Sequence, residues 1–342
     1  MLTNDFQITE FSNDTRYTSA VAQVRVLESH LLPSRKFLRL SDKNNWQGVL
    51  DELRGTEYYE TLLAVQSEEQ LENAVSSFIH ERHKRIKSLA IEPHIISAVM
   101  LNHDLNNLKI ILKQKWNSIE RNITLSAEGT VAESTIKDFL NQKSIIDEPF
   151  NKLIPNLLID YEAHKSIFRI DMLISKFYLM NLYRVFINTK LSFLEHFIKR
   201  RIDLVNLLQV LRWKQWDKEN LSDWDLIFAG GFLDLDFLKN FTSEKREKKL
   251  IALQFTPYSL ALSEGLTYYL NSGELWMLEK LADDYMTKFC QLTQYTSFGV
   301  EPLVAYLWIS LQELKNIHTI LMSKYFNVDP DMIKKRLRIT YG

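Results

Sequence analysis

Four places in the 342-residue sequence gather side chains that could do chemistry. His80-Glu81-Arg82-His83 sets two imidazoles beside a carboxylate, the ingredients of a zinc hydrolase helix. Its histidines stand three apart rather than four and no spacer pair follows the Glu, so the zincin geometry fails. The charged run HERHKRIK reads instead as a solvated helix face. Asp283-Asp284 is a paired acid, as in metal-binding isoprenoid synthases, without that signature's third acid or a second acidic motif. Cys290 is the only cysteine, which excludes a disulfide framework and a Cys-based zinc site. As a lone nucleophile it lies in apolar surroundings, MTKFCQLTQY, where a small buried residue is the simpler reading. Gly230-Gly231 in FAGGFLDLD lacks the third glycine and the strand of a dinucleotide fold, and no Gly-Lys dipeptide exists to build a phosphate loop. No cofactor is implied.

Two basic clusters remain, Lys199-Arg200-Arg201 and Lys245 to Lys249. Charges of both signs surround them, so they read as solvated surface or as docking points for an acidic partner. The whole chain balances 42 Lys+Arg against 43 Asp+Glu, and that neutrality argues against a nucleic-acid partner. The N-terminal stretch MLTNDFQITEFSNDTRY has no basic or apolar region of a signal peptide. The longest uncharged stretch, Leu250 to Ser263, is shorter than a bilayer requires and contains Pro257. A soluble, cytoplasmic protein without a direct membrane span is expected.

The elements that must position these residues are helices. Nine Gly and seven Pro make up under 5% of the chain, where an average globular protein carries roughly 12%. Tight turns between strands need those residues, so their scarcity argues against sandwiches, barrels and propellers and for an all-α fold. Apolar residues recur every three or four positions in SEEQLENAVSSFIHERHKRIKSL and in ELWMLEKLADDYMTKFCQL. SIFRIDMLISKFYLMNLYRVFINTKL is apolar around most of its circumference and is expected to be buried on several sides. Asp329-Pro330, Glu301-Pro302 and Glu92-Pro93 mark helix starts.

An internal repeat organises the chain. DLNNLKIILKQK, DLVNLLQVLRWK and ELKNIHTILMSK align without gaps as acid–Leu–x–Asn–Leu/Ile–x–x–Ile/Val–Leu–x–x–Lys. The acids are Asp104, Asp203 and Glu313, the amides Asn107, Asn206 and Asn316, and the lysines Lys115, Lys214 and Lys324. Glu92-Pro93 and Glu301-Pro302 each lie 15 residues before their Asn, and the middle copy has Leu191-Ser192 there. A second echo sets Leu53-x-x-Thr56-x-Tyr58 against Leu253-x-x-Thr256-x-Tyr258. Three helical units are expected, at 1–118, 119–219 and 220–342, with terminal helices open to exchange between them. The Leu and Ile positions read as a core stripe. A recurring mid-helix Asn implies a recurring polar partner, such as a neighbouring helix or backbone, or alternatively a ligand on a pseudo-threefold axis.

The C-terminal segment from Phe298 onward resembles the signature of the C subunits of the bacterial and archaeal V/A-type ATPases, whose eukaryotic counterparts are the d subunits. The residues that carry the resemblance are Phe298-Gly299, Glu301-Pro302, Tyr306, Glu313 with Asn316, Lys324, Leu337-Arg338 and Tyr341. The stretch AVAQVRVLESHLL, with Arg25, Glu28 and Leu31-Leu32, is similar to the family's opening helix, with Gln23 where a second Arg is expected. The resemblance implies three helical domains around a pseudo-threefold axis, forming a funnel. It implies a non-catalytic rotor adaptor on the cytoplasmic face of the membrane. Its partners would be the central-shaft subunits on one side and the membrane ring of proteolipid subunits on the other. A free-standing helical scaffold that binds another protein is the alternative, and a helical metal-dependent enzyme a distant third.

Overall fold

The computed structural model describes residues 9–117, 131–216, 223–243 and 245–341. The first eight residues and the unit boundaries near 118 and 220 lie outside them. Among the described residues there is no strand, and the chain is all-α. The helices are α1 (Thr18–Ser29), α2 (Ser34–Ser41), α3 (Trp46–Glu52), α4 (Tyr59–Leu63), α5 (Glu68–Leu89), α6 (Pro93–Asn117), α7 (Glu133–Leu140) and α8 (Phe150–His164). They continue as α9 (Ile167–Asn188), α10 (Ser192–Trp216), α11 (Leu235–Ser243), α12 (Arg246–Gln254), α13 (Ser259–Ser272), α14 (Trp276–Gln291), α15 (Glu301–Tyr325) and α16 (Pro330–Arg336).

Local chemistry sets these boundaries. Ser67 and Ser166 accept the backbone N–H groups of Gln70 and Arg169 and so cap α5 and α9. Asp329 accepts from the N–H groups of Asp331 and Met332, with Pro330 at the first helical position of α16. Pro93 and Pro302 open α6 and α15 at matching places of the repeat. The three repeat segments lie on α6, α10 and α15, each 25 residues long.

Among the described residues, apolar side chains gather into three cores. One joins α6 to α7, α8 and the start of α9 through Leu105, Leu108, Ile136, Phe150, Ile154 and Ile170. A second joins the two ends of the chain: Phe37, Leu40, Leu53, Tyr58 and Leu71 pack with Leu314, Ile317, Ile320 and Ile333. The largest runs from α1 through α9, α10, α13, α14 and the first half of α15, with Phe186, Phe193, Leu204, Tyr258, Phe289 and Ile309 fully or almost fully buried. Cys290 lies in that core, and burial raises its thiol well above the ordinary range. The long helices α6, α9 and α15 each contribute to two of these cores, whereas α10 lies in the largest.

Candidate functional site

The acid of each repeat holds backbone. Asp203 is fully buried on α10 and accepts the N–H groups of Phe232 at 2.9 Å and Leu233 at 3.1 Å, and the Tyr258 hydroxyl at 2.5 Å. Gly231 permits this approach, because a methyl group there would sit 1.8 Å from Asp203 Oδ1. Burial pushes the Asp203 carboxyl up to about 6, against the pull of those three donors. Glu313, on α15, accepts the N–H of Leu32 at 2.5 Å and Arg82 Nη2 at 2.9 Å, with the Tyr58 hydroxyl also hydrogen-bonded to it. Burial raises its carboxyl too, opposed first by Arg82. The echoed tyrosines, Tyr58 and Tyr258, therefore serve equivalent acids. Asp104 accepts the Val131 N–H at 2.9 Å.

Two of the amides and two of the lysines also bind backbone. Asn206 donates to the Phe228 carbonyl at 3.0 Å. Asn316 makes a two-way clasp with Arg338, donating to its carbonyl and accepting its N–H, both at 2.8 Å. Asn107 is buried. Lys214 reaches the Thr242 carbonyl at 2.7 Å and Lys324 the Ser41 carbonyl at 2.6 Å, at the ends of α11 and α2. Lys115 is exposed. The nine repeat residues do not converge on one place; each set stays within its own neighbourhood.

What converges is the other face of the same helices. A cavity of about 470 Å³ is lined by α6, α10 and α15 together with parts of α5, α9 and α14. Counting from each Asn, the residues five before it (Asn102, Arg201, Leu311) and one before it (Asn106, Val205, Lys315) all line the cavity. At 100° per residue, this face lies roughly 150° around the helix from the acid and the Asn. The repeat therefore has two jobs on two faces: the acid ties each helix to a segment beyond an expected unit boundary, Asp104 to Val131, Asp203 to Phe232 and Leu233, Glu313 to Leu32, and positions −5 and −1 build the common wall.

That wall is part apolar and part charged. Trp308, Phe197, Val304, Leu182 and Leu208 supply carbon surface. Lys109 pairs with Asp171 at 3.0 Å, Arg212 with Glu279, and Asp283 with Lys315 at 3.0 Å and Arg338 at 2.7 Å. His83 stands edge-on to His103, ring centroids 4.9 Å apart, and burial lowers its imidazole to about 3, so it is neutral.

Three charged stretches that the sequence suggests are solvated surface are partly buried. In HERHKRIK, Glu81, Lys84 and Arg85 are exposed, but Arg82 and His83 are buried. Arg82 continues the stripe Leu71, Val75, Phe78, Ile86 along α5, a placement that could have signalled a buried cation with an acid to meet. In Lys199-Arg200-Arg201, Arg200 is buried over the Phe289 ring at 4.6 Å, and Arg201 lies over Trp308 at 5.0 Å on the cavity wall. Aromatic faces took the place of water around these guanidinium groups. Lys249 is likewise buried, donating to the Phe241 and Thr242 carbonyls. The paired acids have protein partners: Asp283 its cations, Asp284 the Ile339 N–H at 2.8 Å and Lys280 at 2.6 Å.

Several signature residues tie the two ends of the chain together. Glu301 accepts the Ser12 N–H at 2.7 Å, and Gly299, at φ +82°, leaves room for it, since a methyl there would meet Glu301 Oε2 at 2.0 Å. Arg25 pairs with Glu28 and donates to the carbonyls of Thr293 and Thr296, while Tyr341 donates to Glu28 at 2.9 Å.

Residues 20–336 match the family model described as ATP synthase (C/AC39) subunit. The chain is similar to the C subunit of the A-type ATP synthase of Methanocaldococcus jannaschii, 20% identical with 94% of this chain and 86% of that protein covered. It is similar to the C subunit of the V-type sodium ATPase of Enterococcus hirae, 24% identical with 75% and 78% covered. It is also similar to the C subunit of the A-type ATP synthase of Thermococcus kodakarensis, 24% identical with 94% and 90% covered.

Proposed function

The chain belongs to the ATP synthase (C/AC39) subunit family, and from that premise we propose that it is the non-catalytic rotor adaptor of an ion-translocating V/A-type ATPase. The cavity is the socket for the tip of the soluble central shaft. The opposite side of the molecule rests on the membrane ring of proteolipid subunits, on the cytoplasmic face. The observation that carries this reading is that three sequence-equivalent helices present equivalent positions to one cavity. Such a wall suits a partner held on an axis rather than a substrate held by a few convergent groups.

The buried acids support a mechanical role. Each fixes a loop or a chain end onto its long helix, and dense packing of the three cores resists compression when torque passes through. The adaptor consists of three helical units, the last completed by the N-terminal segment that packs on α15. No helix among the described residues is long and apolar enough to cross a membrane, so attachment to the ring is through protein contacts.

Single cysteines test this directly, because the native Cys290 is buried. The tagged full-length chain carrying Val205→Cys or Asn106→Cys, labelled with a photo-crosslinker and purified with its complex in mild detergent, is expected to link to a protein of the central shaft. Ile159→Cys, on the exposed side of α8, serves as the control. Cavity crosslinks only to a protein outside any rotary complex would favour the free-standing scaffold and defeat the rotor reading.

A further inference from the structure

We infer that the socket contains a carboxylate seat, formed by Arg201, Lys315 and Arg338 around Asp283, and that an acidic side chain at the tip of the shaft occupies it; this rests on the shaft reading above. Asp283 is 7% exposed. Its Oδ2 accepts from Lys315 Nζ at 3.0 Å and Arg338 Nε at 2.7 Å, and Arg201 Nη1 stands 3.9 Å from Oδ1. Burial alone would raise this carboxyl, but Lys315, Arg201 and Arg338 together hold it below the ordinary range.

One carboxylate among three cations leaves two positive charges uncompensated. The nearby acids are engaged elsewhere, Glu279 with Arg212 and Asp284 with Lys280 and the Ile339 N–H. Lys315 and Arg338 both contact Asp283, while Arg201 is held off it. Arg201 and Lys315 lie over the Trp308 ring, at 5.0 and 5.9 Å from its centroid, and that face fixes their heads apart. At 3.9 Å, Arg201 is beyond hydrogen-bond distance of Asp283, so its planar fork keeps donors for a second carboxylate. A concave wall with unmatched positive charge draws an anion in, and the apolar surface beside it suits the carbon stem of a Glu or Asp side chain on a helical tip. Arg201 and Lys315 come from equivalent faces of two repeat helices, so an occupant would bridge two units at once.

Zero-length carbodiimide coupling, which joins an amine to a carboxylate in contact, tests this on the complex captured with the tagged full-length chain. In the isolated chain Lys315 is expected to couple to its own Asp283. In the complex it is expected to couple to an Asp or Glu of a shaft protein, read by mass spectrometry of the linked peptides. If Lys315 links to an acid of a polypeptide that is not a shaft component, the seat stands and the shaft reading fails. If it links only to Asp283 while other lysines couple across subunits, or if nothing is captured, the seat is overturned. A second measurement uses Lys315→Gln, first shown by far-UV circular dichroism and thermal melting to fold as wild type; its side chain is 45% exposed. Loss of one charge-assisted hydrogen bond should speed dissociation of the chain from the shaft about tenfold, with Lys315→Arg restoring it. Equal dissociation of Lys315→Gln and wild type overturns the seat. Competition by millimolar inorganic phosphate would mean that it takes a free anion, and would overturn the side-chain occupant.

Discussion

The Asp203 and Glu313 clasps solve one problem with different parts. Each buries an acid of the repeat at the end of a backbone loop, and each calls on a tyrosine from the same echoed motif. In the middle of the chain, Gly231 lets the loop come close enough for two N–H groups and a hydroxyl to surround Asp203. At the chain's ends the acid is the longer Glu313, and a single N–H, that of Leu32, reaches it. Arg82, 231 residues away in sequence, supplies the missing donor and a full positive charge. A carboxylate can thus be buried by several dipoles from a continuous loop or by one ion pair from a distant helix. The ion-paired version joins two pieces of chain that no short loop connects.

The largest effect should come from breaking the ion pair. Arg82→Met leaves Glu313 buried with its charge uncompensated and should cost about 3–5 kcal/mol in chemical denaturation. Hydrogen exchange should show the loss in α2 to α5 and α15, while α10 to α13 keep their protection; uniform loss would mean that the two clasps are not separate.

Next comes Gly231→Ala. Its methyl would displace Asp203 or the loop, so roughly 2–4 kcal/mol is expected. Because it acts through the same contacts as Asp203→Asn, the double mutant should cost clearly less than the two singles added, and full additivity would refute the shared clasp.

The pH dependence is a finer test. With its folded value raised to about 6 from the ordinary 3.8, Asp203 contributes most below the unfolded value, and that contribution is lost as pH rises through about 6. Between pH 7.5 and 4.5 wild type should therefore gain on the non-titrating Asp203→Asn by about 2 kcal/mol. A gap that shrinks on acidification would refute the raised carboxyl.

The smallest effects belong to the matched lysines. Lys214→Met and Lys324→Met each remove one donor to a carbonyl and should cost about 1–2 kcal/mol apiece. Similar costs would show that this part of the motif works alike in both clasps despite their different acids.

Much of this was legible beforehand. Helix starts could be read from Pro93, Pro302 and Asp329-Pro330 because capping is local chemistry. The repeat could be read because equivalent positions kept the same residue types, and the Tyr58–Tyr258 echo was visible before either tyrosine had a partner. The cavity wall was not legible. Asn102, Asn106, Arg201 and Lys315 are polar, and a polar helix face looks the same in sequence whether it meets bulk water or an internal cavity. Arg82 and Arg200 were hidden for a related reason: in a run of basic residues nothing local distinguishes the one that will lie against an aromatic ring or a buried acid.

By itself, then, the sequence determined an all-α chain, the starts of α6, α15 and α16, and the threefold recurrence of acid, amide and lysine. These follow from periodicity and short-range hydrogen bonding, which act within a few turns of helix. Only the tertiary structure decided which face of each repeat helix turns inward, and that the N-terminal segment packs on the second half of α15. Both depend on contacts between residues hundreds of positions apart, such as Leu32 with Glu313 and Ser41 with Lys324. Such pairings are chosen by the packing of whole helices and leave no local mark on the residues that make them.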